Sequence, residues 1–139
     1  MSIVCLVAFA LIGQEPILKA QSPIWAKVVE FKAEPIKVGA DGVEIVSIRM
    51  KIHPEFHIYA TPQPDEILRS VEMRLTIKSK NPKTQSEVRY PKAIEVKEGS
   101  IHWTKYEGNI VITGLVRRAK GDTTPLECTF RLHGSNYTR

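Results

Sequence analysis

The stretch VSIRMKIH at residues 46–53 alternates between apolar and polar side chains. Because successive side chains of a β-strand point to opposite faces, Val46, Ile48, Met50 and Ile52 share one face and the polar residues share the other. This pattern predicts a strand with one side against a core and the other towards solvent.

The same alternation recurs along the chain. It is clear at residues 73–78, 110–113 and 126–132, and shorter candidates are AKVVEFKA at 26–33, FHIYA at 56–60, SEVRY at 86–90 and IEV at 94–96. Turn-forming Gly, Pro, Asn and Asp residues separate these runs, and a helical period is visible at most over residues 65–70. We therefore predict an all-β fold, an immunoglobulin-like antiparallel β-sandwich of about 7–8 strands.

Length and composition agree with a single small domain. The chain has 139 residues, of which 42% are hydrophobic and 25% charged, with a formal net charge of +5. The positive residues are scattered singly, so the sequence gives no support for a nucleic-acid-binding surface. We predict no cofactor and no small-molecule substrate, because no phosphate-binding loop, nucleophile elbow or metal-binding signature is present.

Residues 2–13, SIVCLVAFALIG, form an uncharged apolar run. Its length and texture are typical of the hydrophobic part of a secretory signal peptide, and it is too short to span a bilayer comfortably. We predict a signal peptide over residues 1–20, with cleavage at Gly13 or Ala20, and a folded domain over residues 21–139. The alternative is an ordinary amino-terminal strand or helix.

Four histidines, His53, His57, His102 and His133, raise the question of a metal site. In an extended strand positions 53 and 57 would lie roughly 13 Å apart at about 3.3 Å per residue, and Pro54 interrupts the strand between them. One strand therefore cannot offer both imidazoles to one ion, and we predict no metal site.

Cys128 would be the sole thiol of the chain after removal of residues 1–20. It alternates in phase with Leu126, Phe130 and Leu132, which predicts that it faces the core. A buried thiol in apolar surroundings has a raised pKa and is unreactive, so we predict a structural role for it.

Four motifs occur in a distinctive order: EFHIYATP at 55–62, VRYP at 88–91, YEG at 106–108 before an alternating strand, and CTFRLHG at 128–134. Together they resemble the amino-terminal periplasmic domain of the DsbD family of thiol:disulfide interchange reductases, over roughly residues 24–139. The resemblance implies an immunoglobulin-type sandwich. It also implies electron relay by a cysteine pair, from a membrane thiol-reductase domain to thioredoxin-like periplasmic proteins.

The chain departs from this family at the cysteine pair. Aligning Phe130 with the family's aromatic residue puts His133 at the first cysteine position and Arg139 near the second, and neither is a thiol. Three interpretations stay open: a redox-silent module that binds partner proteins, a reductase whose cysteines lie beyond the given carboxyl end, or a metal site built from His57 and His133. We favour the first. The resemblance then implies partner-binding residues Phe56, His57, Tyr59 and His133.

Overall fold

The computed structural model describes the backbone of residues 2–12, 15–20 and 28–136, and the side chains of residues 28–135. More than half of this length lies in strands, since its alternating and β-branched stretches favour them. The strands are β1 (Ser2–Ile12), β2 (Glu15–Ala20), β3 (Val29–Ala33), β4 (Lys37–Val38), β5 (Glu44–Ile52), β6 (Phe56–Tyr59), β7 (Arg74–Lys78), β8 (Gln85–Arg89), β9 (Ile94–Glu98), β10 (Ile101–Tyr106), β11 (Asn109–Arg117) and β12 (Leu126–Asn136). A 3₁₀ helix covers Glu66–Val71. No helix in the described part is long and apolar enough to span a membrane.

The strands form two antiparallel sheets. The larger sheet runs in the order β2-β1-β12-β6-β10-β9, with β7 also paired to β12. The smaller sheet runs β3-β5-β11-β8, with β4 also paired to β5. The predicted all-β antiparallel sandwich is confirmed, although the described strands are more numerous than the predicted seven or eight.

The hydrophobic core lies between the two sheets. The face of β5 predicted from alternation is buried, with Val46 and Ile48 fully inaccessible to solvent. Cys128 also has no exposed surface, so its predicted place in the core is confirmed. The other sheet contributes, among others, Ile58, Leu75, Ile77, Tyr106, Leu126, Phe130 and Leu132.

Strand β12 organises the larger sheet. Its first half pairs with β7, from Glu127 opposite Lys78 to Arg131 opposite Arg74. Its last residues pair instead with β6, where Gly134 faces Ile58 and Ser135 faces His57. The switch of partner places the end of β12 beside β6, and this is where the candidate site is built.

The amino-terminal segment has a strand conformation in this structure. The backbone of Ser2–Ile12 forms β1 and pairs with β12, from Ser2 opposite Ser135 to Leu11 opposite Leu126. Strand β2 then pairs with β1. Gly13, the first candidate cleavage residue, and the first residues of the predicted 26–33 strand lie outside the described residues. The domain boundary at residue 20 stays a prediction.

Candidate functional site

Strand β6 presents two different faces. Phe56 and Ile58 point inwards, where Phe56 packs against the core and meets the His53 ring edge-on at 5.8 Å between centroids. His57 and Tyr59 point outwards from the sheet. Phe56, predicted to bind a partner, therefore lies on the opposite face from His57 and Tyr59.

The outward residues form an aromatic cluster with β10. The Trp103 ring centroid lies 5.2 Å from that of His57 and 5.5 Å from that of Tyr59, while His57 and Tyr59 are 5.9 Å apart in an edge-on arrangement. We call His57, Tyr59 and Trp103 the outer aromatic cluster. Tilted and edge-on contacts of this kind stabilise ring pairs beyond simple burial.

His57 is buried although it lies on an outward face. Its residual exposure is 7%, because the neighbouring rings cover it, while Tyr59 and Trp103 are only half-buried. The Nε2 atom of His57 lies 3.0 Å from the hydroxyl oxygen of Ser135 on β12. Burial lowers the pKa of His57, and the nearby ammonium of Lys105 lowers it further, so the imidazole is neutral at pH 7.

Charged groups flank the cluster on the β10 side. Lys105 follows Trp103 on the same face and forms an ion pair with Glu107 at 3.2 Å. The Lys105 side chain is mostly buried, which is common when its aliphatic stem packs on rings and its ammonium reaches water. The cluster thus combines an aromatic surface with the Lys105–Glu107 ion pair at its edge.

His133 lies on the same outward face of β12 as Ser135, two residues earlier. Burial, followed by the charge of Arg131, lowers its pKa. Its Nε2 atom is buried and has no hydrogen-bond partner within the described part of the chain. The structure therefore brings three of the four predicted residues, His57, Tyr59 and His133, to one outward surface. Arg139, aligned near the family's second cysteine, lies outside the described residues.

Neither a reactive thiol nor a metal-ligand cluster is found at this surface within residues 28–135. Cys128 projects to the opposite side of β12, and burial raises its pKa to about 12, so it does not provide a thiolate near neutral pH. Within residues 28–135 no group of three or more His, Cys, Asp or Glu side chains is arranged to hold a metal ion.

Sequence reasoning missed two members of the surface, Trp103 and Ser135. The sequence carries a signal for Trp103. In IHWTKY at 101–106, Ile101, Trp103 and Lys105 occupy every second position, so a strand would place them on one face. This signal is weak, because both faces of the strand mix polar and apolar residues, and a lone Trp in a sandwich is usually a packing residue. Ser135 carries no signal in the sequence, because its importance comes from the pairing of β12 with β6.

Comparisons with known proteins give a fold and no family. No protein-family model matches the chain, and no curated protein matches it. Among solved structures it is similar to the envelope protein VP37 from White Spot Syndrome Virus, with a TM-score of 0.50 and 10% sequence identity. The match covers 98% of this chain and 99% of that chain. At this identity the likeness supports the fold alone, and the resemblance to DsbD stays a prediction.

Proposed function

We propose that this chain is an exported, periplasmic β-sandwich that binds a partner protein through its outer aromatic cluster. In this proposal it serves thiol:disulfide interchange or envelope-protein maturation without disulfide chemistry of its own. The partner is a thioredoxin-like periplasmic protein or a membrane thiol-reductase domain.

The observation that carries the proposal is the half-buried aromatic surface formed by Tyr59 and Trp103 over the neutral imidazole of His57. Aromatic residues are enriched at protein interfaces, because they bury a large area at a small loss of side-chain entropy. Phe56, His57 and Tyr59 also belong to the segment EFHIYATP, on which the resemblance to DsbD chiefly rests.

The proposed role involves no redox chemistry, because Cys128 is buried and its thiol is unreactive. Thiol exchange requires an accessible thiolate and a second thiol that resolves the mixed disulfide. Cys128 is fully buried with its pKa raised to about 12, and His133 stands where the aligned family places its first cysteine. The proposed role is therefore recognition of a redox partner.

A binding measurement with purified thioredoxin-like periplasmic domains tests the proposal. We expect the wild-type chain to bind at least one of them, and Trp103→Ala to weaken that binding by at least about thirtyfold, as for a central aromatic residue of an interface. Val111→Ala is the matched control, because Val111 is an exposed apolar residue, 42% accessible, on the smaller sheet.

Circular dichroism must show that both variants are folded. Failure of the wild-type chain to bind any thioredoxin-like domain would contradict the proposal. Equal weakening by Trp103→Ala and Val111→Ala would also contradict it, because the effect would then not belong to the aromatic cluster.

A further inference from the structure

Strand β9 is the last strand of the larger sheet. Its partner is β10, in a register that runs from Glu98 opposite Ile101 to Ile94 opposite Lys105, and no other described strand pairs with it. Four of its five residues are exposed, Val96 being half-buried. An open strand edge offers backbone groups to any strand that can pair with it.

The turn between β9 and β10 determines which backbone groups face the open edge. It contains two residues, Gly99 and Ser100, and Gly99 has a φ of 62°, which glycine adopts readily. In such a hairpin the closing pair is hydrogen-bonded, and hydrogen-bonded pairs then alternate with non-bonded ones. The backbone groups of Val96 consequently point to β10, and those of Glu95 and Lys97 point to the open edge.

An antiparallel second copy of β9 can pair only through residues whose backbone groups face that edge. With Glu95 and Lys97 facing the edge, three registers are possible near the middle of the strand. One puts Glu95 opposite Glu95 and another puts Lys97 opposite Lys97, and like charges directly opposite each other are unfavourable. The third puts Val96 opposite Val96 and places each Glu95 opposite Lys97 of the other copy. The charge pattern of IEVKE at 94–98 is therefore complementary to itself in a single register.

The outward side chains fit the same register. Val96 lies opposite Trp103 within the chain, so two Val96 side chains in contact would join the apolar surfaces of the two copies. Ile94 and Ile101, which are 43% and 51% accessible, border this surface on the same face. On the inward face Glu95 lies 3.8 Å from His102 and is largely exposed, so its carboxylate is open to a cation of a second copy.

From these observations we infer that the chain forms a twofold-symmetric dimer through antiparallel pairing of β9 with β9 of a second copy, centred on Val96. Each Glu95–Lys97 pair exchanges two backbone hydrogen bonds as well as an ionic contact. The two larger sheets become one continuous sheet, with both outer aromatic clusters on the same side. The inference does not depend on the proposed function. Because the contact is short, we expect a weak dimer that forms at high protein concentration.

Sedimentation equilibrium over a wide concentration range tests the dimer. We expect the wild-type mass to rise from one chain to two as concentration increases. Lys97→Glu and Glu95→Lys each put like charges opposite one another at two places, and each should weaken dimerisation by at least about tenfold. The double variant E95K/K97E should restore it, and so should an equimolar mixture of the two single variants.

Lys120→Glu is the control, because it makes the same charge change as Lys97→Glu at an exposed turn away from β9. It should leave dimerisation unchanged. In hydrogen exchange, the amides of Glu95 and Lys97 should become protected in concentrated samples only. A wild-type chain that stays monomeric at every concentration would overturn the inference. A dimer that is equally strong in both single charge variants would overturn it too.

Discussion

At the scale of single residues, Gly114 lets the two sheets approach each other. It lies in β11 of the smaller sheet, and a Cβ atom there would overlap the Cδ1 atom of Ile77 on β7 of the larger sheet. It would also lie 3.7 Å from the Cβ atom of Val46. The backbone of Gly114 is not in the left-handed region, so this position needs glycine for space and not for conformation.

We expect Gly114→Ala to lower the free energy of unfolding by about 1–3 kcal/mol, the usual range for overpacking a core. Adding Ile77→Val removes the Cδ1 atom that the new methyl group meets. The double variant should therefore be more stable than the sum of the single effects predicts, by about 1 kcal/mol in a double-mutant cycle measured by urea unfolding. Simple additivity would mean that the two side chains do not interact.

We expect the buried thiol of Cys128 to make the protein less stable at alkaline pH. Burial raises the pKa of its thiol to about 12, above the value near 9 of an exposed thiol. Between these values the unfolded chain loses the proton and the folded chain keeps it. Stability is therefore complete below about pH 9 and falls as pH rises towards 12, by up to about 1.4 kcal/mol per pH unit.

Urea unfolding at a series of pH values checks this prediction. In Cys128→Val the free energy of unfolding should fall less steeply at alkaline pH. The smaller contribution of Tyr106 should remain, because burial also raises the pKa of Tyr106 to about 12. In the native wild-type chain at pH 8 the thiol should resist iodoacetamide until the protein is unfolded. An unchanged alkaline slope in the valine variant would show that Cys128 is not its source.

At the scale of elements, the side chain of Gln63 extends the short pairing between β6 and β10. The strands pair only through Tyr59 with Lys105 and Ile58 with Tyr106, and Ala60 N–H then donates to the Thr104 carbonyl at 3.1 Å. The buried amide of Gln63 completes the join. Its Nε2 atom donates to the carbonyls of Ala60 and Thr104, at 2.9 and 2.7 Å, and its Oε1 atom accepts from Thr104 N–H at 3.0 Å.

We expect Gln63→Ala to lower the free energy of unfolding by about 1–3 kcal/mol, because the buried N–H of Thr104 loses its acceptor and the Thr104 carbonyl keeps only its bond from Ala60 N–H. Hydrogen exchange should show faster exchange at the Thr104 amide than in the wild type. Gln85→Ala is the control, since Gln85 is exposed on β8. If both variants unfold at the same urea concentration, the amide does not act as a strand partner.

Most of the described strands were predicted from alternation, but β1, β2, β4 and β10 were not among them. In β5 and β12 one face is uniformly apolar and buried, so a period of two is visible in the sequence. In β10 the inward face carries His102, Thr104 and Tyr106, and the Thr104 hydroxyl donates to the Pro62 carbonyl at 2.7 Å. The alternation of apolar and polar residues is lost in β10, because the loop after β6 supplies hydrogen-bond partners for its buried polar groups.

At the scale of the whole molecule, export is the prediction with the widest consequence. We expect the native protein from the cell envelope to have the mass of residues 14–139 or 21–139. It should take up one alkyl group, and only after unfolding. Intact mass spectrometry with and without alkylation checks both points.

Other masses would distinguish the alternatives. The full 15.7 kDa chain would contradict cleavage and would leave β1 in place beside β12. A heavier chain that gains two further labels after reduction would favour the reductase whose cysteines lie beyond the given carboxyl end.

The sequence alone determined the fold class and the core. An apolar face with a period of two indicates a half-buried strand, and repeated strands with turns between them are typical of a sandwich. It also placed Cys128 in the core by its phase with Leu126 and Phe130.

Only the tertiary structure decided the candidate surface and the dimer edge. His57, Trp103 and Ser135 are far apart in the sequence and meet because β12 changes partners from β7 to β6 while β10 lies on the other side of β6. The open edge of β9 likewise depends on strand order. Strand order and register arise from non-local pairing, which no local pattern of residues encodes.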